Sequence, residues 1–167
     1  MSVNLVFFWV EQFGKKQSAM DQKDIRWKQR FRNFEKAFSR LKEGVDVEEP
    51  NELERNGIVQ RFEFTLDLSW KVMKDYLAEK GLSFKPSTKD TLRHAQEAGL
   101  IDYAQDLIDG LDIHKELSHD YDGDKFENSE ENLRMVIFPA LKKLYLLYIS
   151  EGATNQLNLF DAKSSGK

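Results

Sequence analysis

Cysteine is absent from the 167 residues. That excludes disulfides, thiolate metal sites and a cysteine nucleophile, and it fits a reducing cytoplasm. Proline is scarce, at 3, and the 9 glycines are scattered at predicted helix ends. No glycine-rich loop is therefore present to cradle a phosphate, so a self-contained nucleotide-transferring enzyme is not expected. The ordering of Ser, His and Asp calls for no nucleophile elbow. No internal repeat and no segment of strand period stands out. The apolar run Leu5-Val6-Phe7-Phe8-Trp9-Val10 is too short to cross a bilayer. It also lacks the basic flank and small-residue cleavage site of a signal peptide. A cytoplasmic protein without membrane association is expected.

What is present is an apolar fraction of 40%, a charged fraction of 32% and 12 phenylalanines. The length suits one domain with a real core. Trp27, Phe31, Phe34, Phe38 and Leu41 recur at spacings of 4, 3, 4 and 3, which predicts a first helix over 24–43 with one aromatic stripe. Gly44 to Pro50 is a polar break. Asn51 is placed to cap a long second helix that runs to Lys80, with Gly81 just past its end. Its inward side is Ile58, Phe62, Thr65, Ser69, Met73 and Tyr76, widened by Leu66, Trp70 and Leu77. Ser87 with Asp90 opens a short third helix, with Leu92, Ala95 and Ala98 inward, and Gly99 stops it. A fourth helix starts at Asp102, turns Tyr103, Leu107, Leu111 and His114 inward, and ends near His119. Leu133, Ile137, Ala140, Leu144 and Leu147 predict the last helix, ended by Gly152. Pro139 lies inside that pattern and is expected to kink it at Met135 to Phe138. The fold class that follows is all-α: an up-and-down four-helix bundle with one short additional helix. Residues 24–151 form the bundle. Residues 1–23 are read as an N-terminal extension, of which 1–19, ahead of Met20, are an upstream extension, a mis-set start or a loosely docked strand or helix, and residues 152–167 as a flexible tail.

The net charge of −4 conceals an asymmetry. Lys15 to Glu43 holds ten Lys/Arg against four Asp/Glu, and Glu97 to Glu131 holds two against twelve. One part of the molecule suits phosphates and the other repels them. Lys23, Arg26 and Arg30 share one side of the first helix, with Lys28 and Arg32 on another. Such residues either contact RNA or keep a helix with an aromatic core stripe soluble. Asp120 to Glu131 places oxygens like a calcium loop, but Lys125 stands where the sharp turn needs glycine and Glu127 where an apolar residue belongs. It is read as an acidic, solvated loop, and no metal is expected.

The stretch His114-Lys115-Glu116-Leu117-Ser118-His119-Asp120-Tyr121 carries the chemistry. His119 is the candidate acid/base, because imidazole titrates near neutrality. Tyr121 offers a hydroxyl, and Lys115 and Ser118 offer phosphate or substrate contacts. Residues five apart lie about 140° around a helix axis. His114 and His119 therefore meet in one cleft only if the last turn unwinds. A second segment, Arg61-Phe62-Glu63-Phe64-Thr65-Leu66-Asp67-Leu68-Ser69-Trp70-Lys71-Val72-Met73-Lys74-Asp75-Tyr76-Leu77, belongs with it.

Together the two segments resemble the nucleotidyltransferase substrate-binding family, a branch of the HEPN superfamily that includes HepT-like partner bundles, over about residues 24–150. In ribonuclease-type members the motif is Arg, four to six residues, then His, often followed by x-Tyr, with Arg and His lining a cleft at a homodimer interface; a related pattern is Arg-Asn-x-x-x-His-x-Tyr. His119 matches the motif His and Tyr121 the motif Tyr. His114 stands where Arg belongs and Lys115 where Asn belongs. An arginine is always charged and offers a fork to a phosphate, whereas a histidine does neither reliably. The resemblance therefore implies a substrate-binding or partner subunit of a small, separately encoded nucleotidyltransferase, itself non-catalytic or weakly catalytic. The alternative is a metal-independent ribonuclease toxin of a toxin–antitoxin pair, contacting RNA and silenced by AMP on Tyr121. The resemblance also implies a homodimer. No cofactor is expected. Separately, Gln156-Leu157-Asn158-Leu159-Phe160 in the tail is similar to the peptide that binds the bacterial sliding clamp, with Gln156, Leu157, Leu159 and Phe160 as its anchors; the alternatives are a chance match of a short motif or a tail folded back on the bundle.

Overall fold

The computed structural model describes residues 26–82, 87–117, 129–153, 157 and 159. Among them the chain forms five helical segments and no strand. Helix α1 covers 26–45. Its heptad-spaced stripe is the centre of the core: Trp27, Phe31, Phe34, Phe38 and Leu41 are all buried. Arg26 and Arg30 reach Asp75, while Arg61 reaches the other end of α1. Helix α2, Glu52–Glu79, therefore runs antiparallel to α1.

The start of α2 is fixed by a reciprocal cap. The Glu54 amide donates to Asn51 Oδ1 at 3.0 Å, and the Asn51 amide donates to Glu54 Oε2 at 2.8 Å. Each bond satisfies an amide that has no partner within the helix. Asn51→Ala is expected to cost about 0.5–2 kcal/mol, read as a fall in Tm by circular dichroism. At the other end Gly81 adopts φ +81°, and the Leu82 amide donates back to the Leu77 carbonyl at 3.0 Å. This left-handed residue closes the helix where a side chain would be strained.

Helix α3, Thr88–Glu97, is capped by Ser87, whose Oγ accepts from the Asp90 amide at 3.1 Å. Asp90 does not complete a box. Its carboxylate accepts from the Ser87 hydroxyl instead, since Asp is one methylene shorter than the usual Glu. Helix α4, Ala104–Leu117, starts two residues later than the sequence predicts. Its first amide is satisfied across helices, donating to Gln96 Oε1 of α3 at 3.1 Å. Gly110 allows α4 to pack closely: a Cβ there would lie 3.0 Å from Ile137 and 3.6 Å from Phe62.

Helix α5 covers 129–150. It contains a π-helical stretch, Leu133–Ile137, followed by the α-helical Phe138–Ser150. The Phe138 amide donates to the Leu133 carbonyl, five residues back. This stretch lies where Pro139 is expected to disturb the helix, because its ring removes a donor. Arg134, within it, donates to the Val45 and Val47 carbonyls and to Glu130, clasping the α1–α2 turn.

The core is an aromatic stack between α1 and α5. Phe38 lies 5.1 Å from Phe138 and 5.5 Å from Tyr145, and Trp27 meets Tyr76 of α2 edge-on at 5.2 Å. The buried tyrosine hydroxyls have partners. Tyr145 donates to Glu35 at 3.0 Å, Tyr148 to the Ser69 carbonyl at 3.2 Å, and Tyr76 to Glu151 at 2.6 Å. The Tyr76 hydroxyl and then Lys80 hold the Glu151 carboxyl below the usual range.

Two of the apolar positions expected in the core differ. Ala98 is exposed, because α3 ends at Glu97 and the chain turns away. Trp70 is only partly buried at the edge of α2, with the Lys71 and Lys74 ammoniums about 6 Å from its ring centre. Among the described residues no helix is long and apolar enough to cross a membrane.

Candidate functional site

The last turn of α4 is held down by Leu117, which is buried, while Lys115 and Glu116 beside it are exposed. His114 lies between these faces, with its side chain 26% exposed. Its Nε2 is 3.1 Å from Oε1 of Glu63, on α2. The imidazole is therefore not turned into the core, as its place in the apolar pattern suggests, but across to a neighbouring helix. Such a pairing suits an Nε2–H donor facing the carboxylate. It also places a carboxylate where the ribonuclease-type pattern has a cation facing phosphate. Glu63 belongs to the segment that carries the family resemblance, yet its role depends on the register between two helices and not on local spacing. Ser118, His119 and Tyr121 lie outside the described residues. So does most of the acidic loop, 118–128.

The aromatic stripe of α1 is core, and the cations around it form the outer surface. Arg32, Lys36 and Arg40 are exposed on α1. Arg61 of α2 donates from a guanidinium NH to the Arg40 carbonyl at 2.8 Å, and the same nitrogen lies 3.7 Å from Glu43. Between Arg40 and Arg61 lies a groove of about 240 Å³, lined also by Ala37, Gln60 and Phe64. Phe64 is 63% exposed. It follows the buried Phe62 by two positions, about 200° around the helix. That displacement is the signal in the sequence that sets it apart from the core aromatics.

A second concavity of about 360 Å³ lies between α3 and α4. Two of its polar lining residues already have partners: Gln96 holds the Ala104 amide and Glu97 lies 3.0 Å from His94.

Two of the tail anchors are described. Leu157 is 43% exposed, and its amide donates at 3.3 Å to Glu35, the buried carboxylate that also accepts from Tyr145. Leu159 is partly buried against the core. Gln156 and Phe160 lie outside the described residues. Among the described residues no group of three His, Asp or Glu side chains is placed to hold a metal ion.

These features define a helical bundle with a polar cross-helix pair at the end of α4 and a basic groove between α1 and α2. The family pattern described as nucleotidyltransferase substrate binding protein like matches residues 29–147, which spans all five helical segments. The chain belongs to that family. A crystal structure of a protein from Thermus thermophilus is similar, with 29% sequence identity and a TM-score of 0.60 over 71% of this chain and 97% of that one. No curated protein matches the sequence.

Proposed function

We propose that the protein is the substrate-binding subunit of a small nucleotidyltransferase encoded separately. The observation that carries this reading is the family match over residues 29–147, which covers nearly the whole bundle. Two features support it. The sequence has no glycine-rich phosphate loop of its own, so transfer chemistry belongs to a partner. The residue at the motif Arg position, His114, faces Glu63 at 3.1 Å, an arrangement unsuited to clamping a scissile phosphate. The chain then binds the transferase and presents to it either a substrate or its own Tyr121. In the second case the Tyr121 oxygen attacks the α-phosphate of ATP, an O–P bond forms, pyrophosphate leaves and the phenolic proton is lost.

Co-expression with a small nucleotidyltransferase encoded nearby is expected to give a complex that survives gel filtration. Intact mass after incubation with ATP separates the two modes. A gain of one or more AMP units, absent in Tyr121→Phe, makes Tyr121 the acceptor. An unchanged mass in an intact complex makes the subunit a carrier of another substrate. Failure to form any complex would refute the partner-subunit reading.

A further inference from the structure

The groove between α1 and α2 has a composition that the bundle itself does not need. Phe64 contributes little to the core, since most of its ring faces water. The Arg40 guanidinium has no partner among the described residues. Arg61 is anchored through one nitrogen only, to the Arg40 carbonyl and Glu43, which fixes its plane and leaves its other donors without partners among the described residues. Gln60, one helical turn before Phe64, brings an amide that both donates and accepts.

We infer that this groove binds a nucleoside phosphate, with the base against the Phe64 ring, its edge at the Gln60 amide and the phosphates on Arg40 and Arg61. The inference rests on the substrate-binding reading and gives that substrate a chemical class. An aromatic face stacks any base, and a guanidinium pair supplies charge and directed donors to phosphate oxygens. The volume of about 240 Å³ admits a base with part of its sugar and leaves the phosphates at the rim, where the arginines are. Glu43 offsets part of the charge, so the groove does not attract polyanions indiscriminately. A docked protein helix fits less well. It would need contiguous apolar contacts, and the next exposed apolar residue on this ridge of α2, Leu53, is eleven residues and about 16 Å away.

The test is ATP binding to the isolated full chain by calorimetry, beside inorganic triphosphate and a short single-stranded RNA. Saturable ATP binding is expected. Phe64→Ala should weaken it about 5- to 150-fold, the range for removing one base–aromatic stack. Arg40→Ala should weaken it comparably. Arg32→Ala, eight residues and about 12 Å back along α1, should leave it unchanged. Circular dichroism melts confirm that each variant is folded. Triphosphate binding as well as ATP, with no effect of Phe64→Ala, would overturn the proposal in favour of plain anion attraction. RNA binding through these residues without ATP binding would overturn it in favour of a strand-binding surface. No binding of any probe would overturn it as well. Loss of transferase co-purification in Phe64→Ala, without ATP binding, would reassign the groove to the partner. Because complex formation is measured separately, the groove can fail while the subunit reading stands.

Discussion

Replacing Phe38 with alanine is expected to remove about 3–5 kcal/mol of stability, read as a lowered urea midpoint with an unchanged m-value. Phe38 is fully buried and touches rings on both sides of the core: Phe34 at 5.9 Å, Phe138 at 5.1 Å and Tyr145 at 5.5 Å. Truncation loses the transfer energy of the ring and leaves a cavity that three stacked neighbours cannot fill without leaving their rotamers. Against a total of about 5–15 kcal/mol for an ordinary domain, one residue then carries about a fifth of the margin or more. Phe64 makes the contrast. It lies on α2 with 63% of its surface in water, so Phe64→Ala should change stability by no more than about 0.5 kcal/mol. Equal losses at the two positions would mean that the α1–α5 stack is not the core.

The second large effect is alkaline. Burial, more than any charge, raises the phenol pKa of Tyr148, Tyr76 and Tyr103 above the ordinary value of 10. For Tyr76 the hydrogen bond to Glu151 and its charge add to this, and for Tyr103 the charge of Asp102 does. An unfolded tyrosine gives up its proton near pH 10, whereas these three keep theirs in the fold. The contribution is complete below pH 10. Above it the unfolded state sheds protons that the native state retains, so stability falls as pH rises, by about 1.4 kcal/mol per pH unit for each tyrosine. Tyr148 and Tyr76, both fully buried, together make a slope of about 3 kcal/mol per pH unit, and the partly exposed Tyr103 adds less because water screens it. Urea midpoints should be level from about pH 7 to 9 and then drop steeply. Tyr148→Phe should make the drop shallower by about a third to a half. A stability curve that stays flat to about pH 11.5 would show that the phenols are solvated.

The fold is legible in the sequence because its strongest signals are periodic. Trp27 to Leu41 keep a 4-3-4-3 spacing and all five residues are buried. Asn51 and Gly81 mark the ends of α2, because caps act within four residues. What local spacing does not reveal depends on one helix meeting another. The start of α4 is set by Gln96 from α3, and the α1–α2 turn is held by Arg134 from α5. The partner of His114 is Glu63, 51 positions earlier in the chain. At the candidate sites the sequence names the chemistry-bearing residue types, but not which of them face one another. The groove at Phe64 escapes a reading of the cations along α1 alone, since half of it belongs to α2. The tail's similarity to a clamp-binding peptide rests on residue types alone. That the Leu157 amide meets a buried carboxylate 122 residues away is not legible in them.

The aromatic stack has a consequence for the chain as it is made. Tyr145 and Glu35, joined by a hydrogen bond, are 110 residues apart, and the rings of α1 find most of their partners on α5. At a synthesis rate of about 5–20 residues per second, α1 leaves the ribosome roughly 5–20 s before the helix that covers it. During that interval a tryptophan and three phenylalanines on one face lack the rings of α5. The nascent chain therefore exposes an apolar face that the finished protein buries, and its yield should depend on how soon α5 follows.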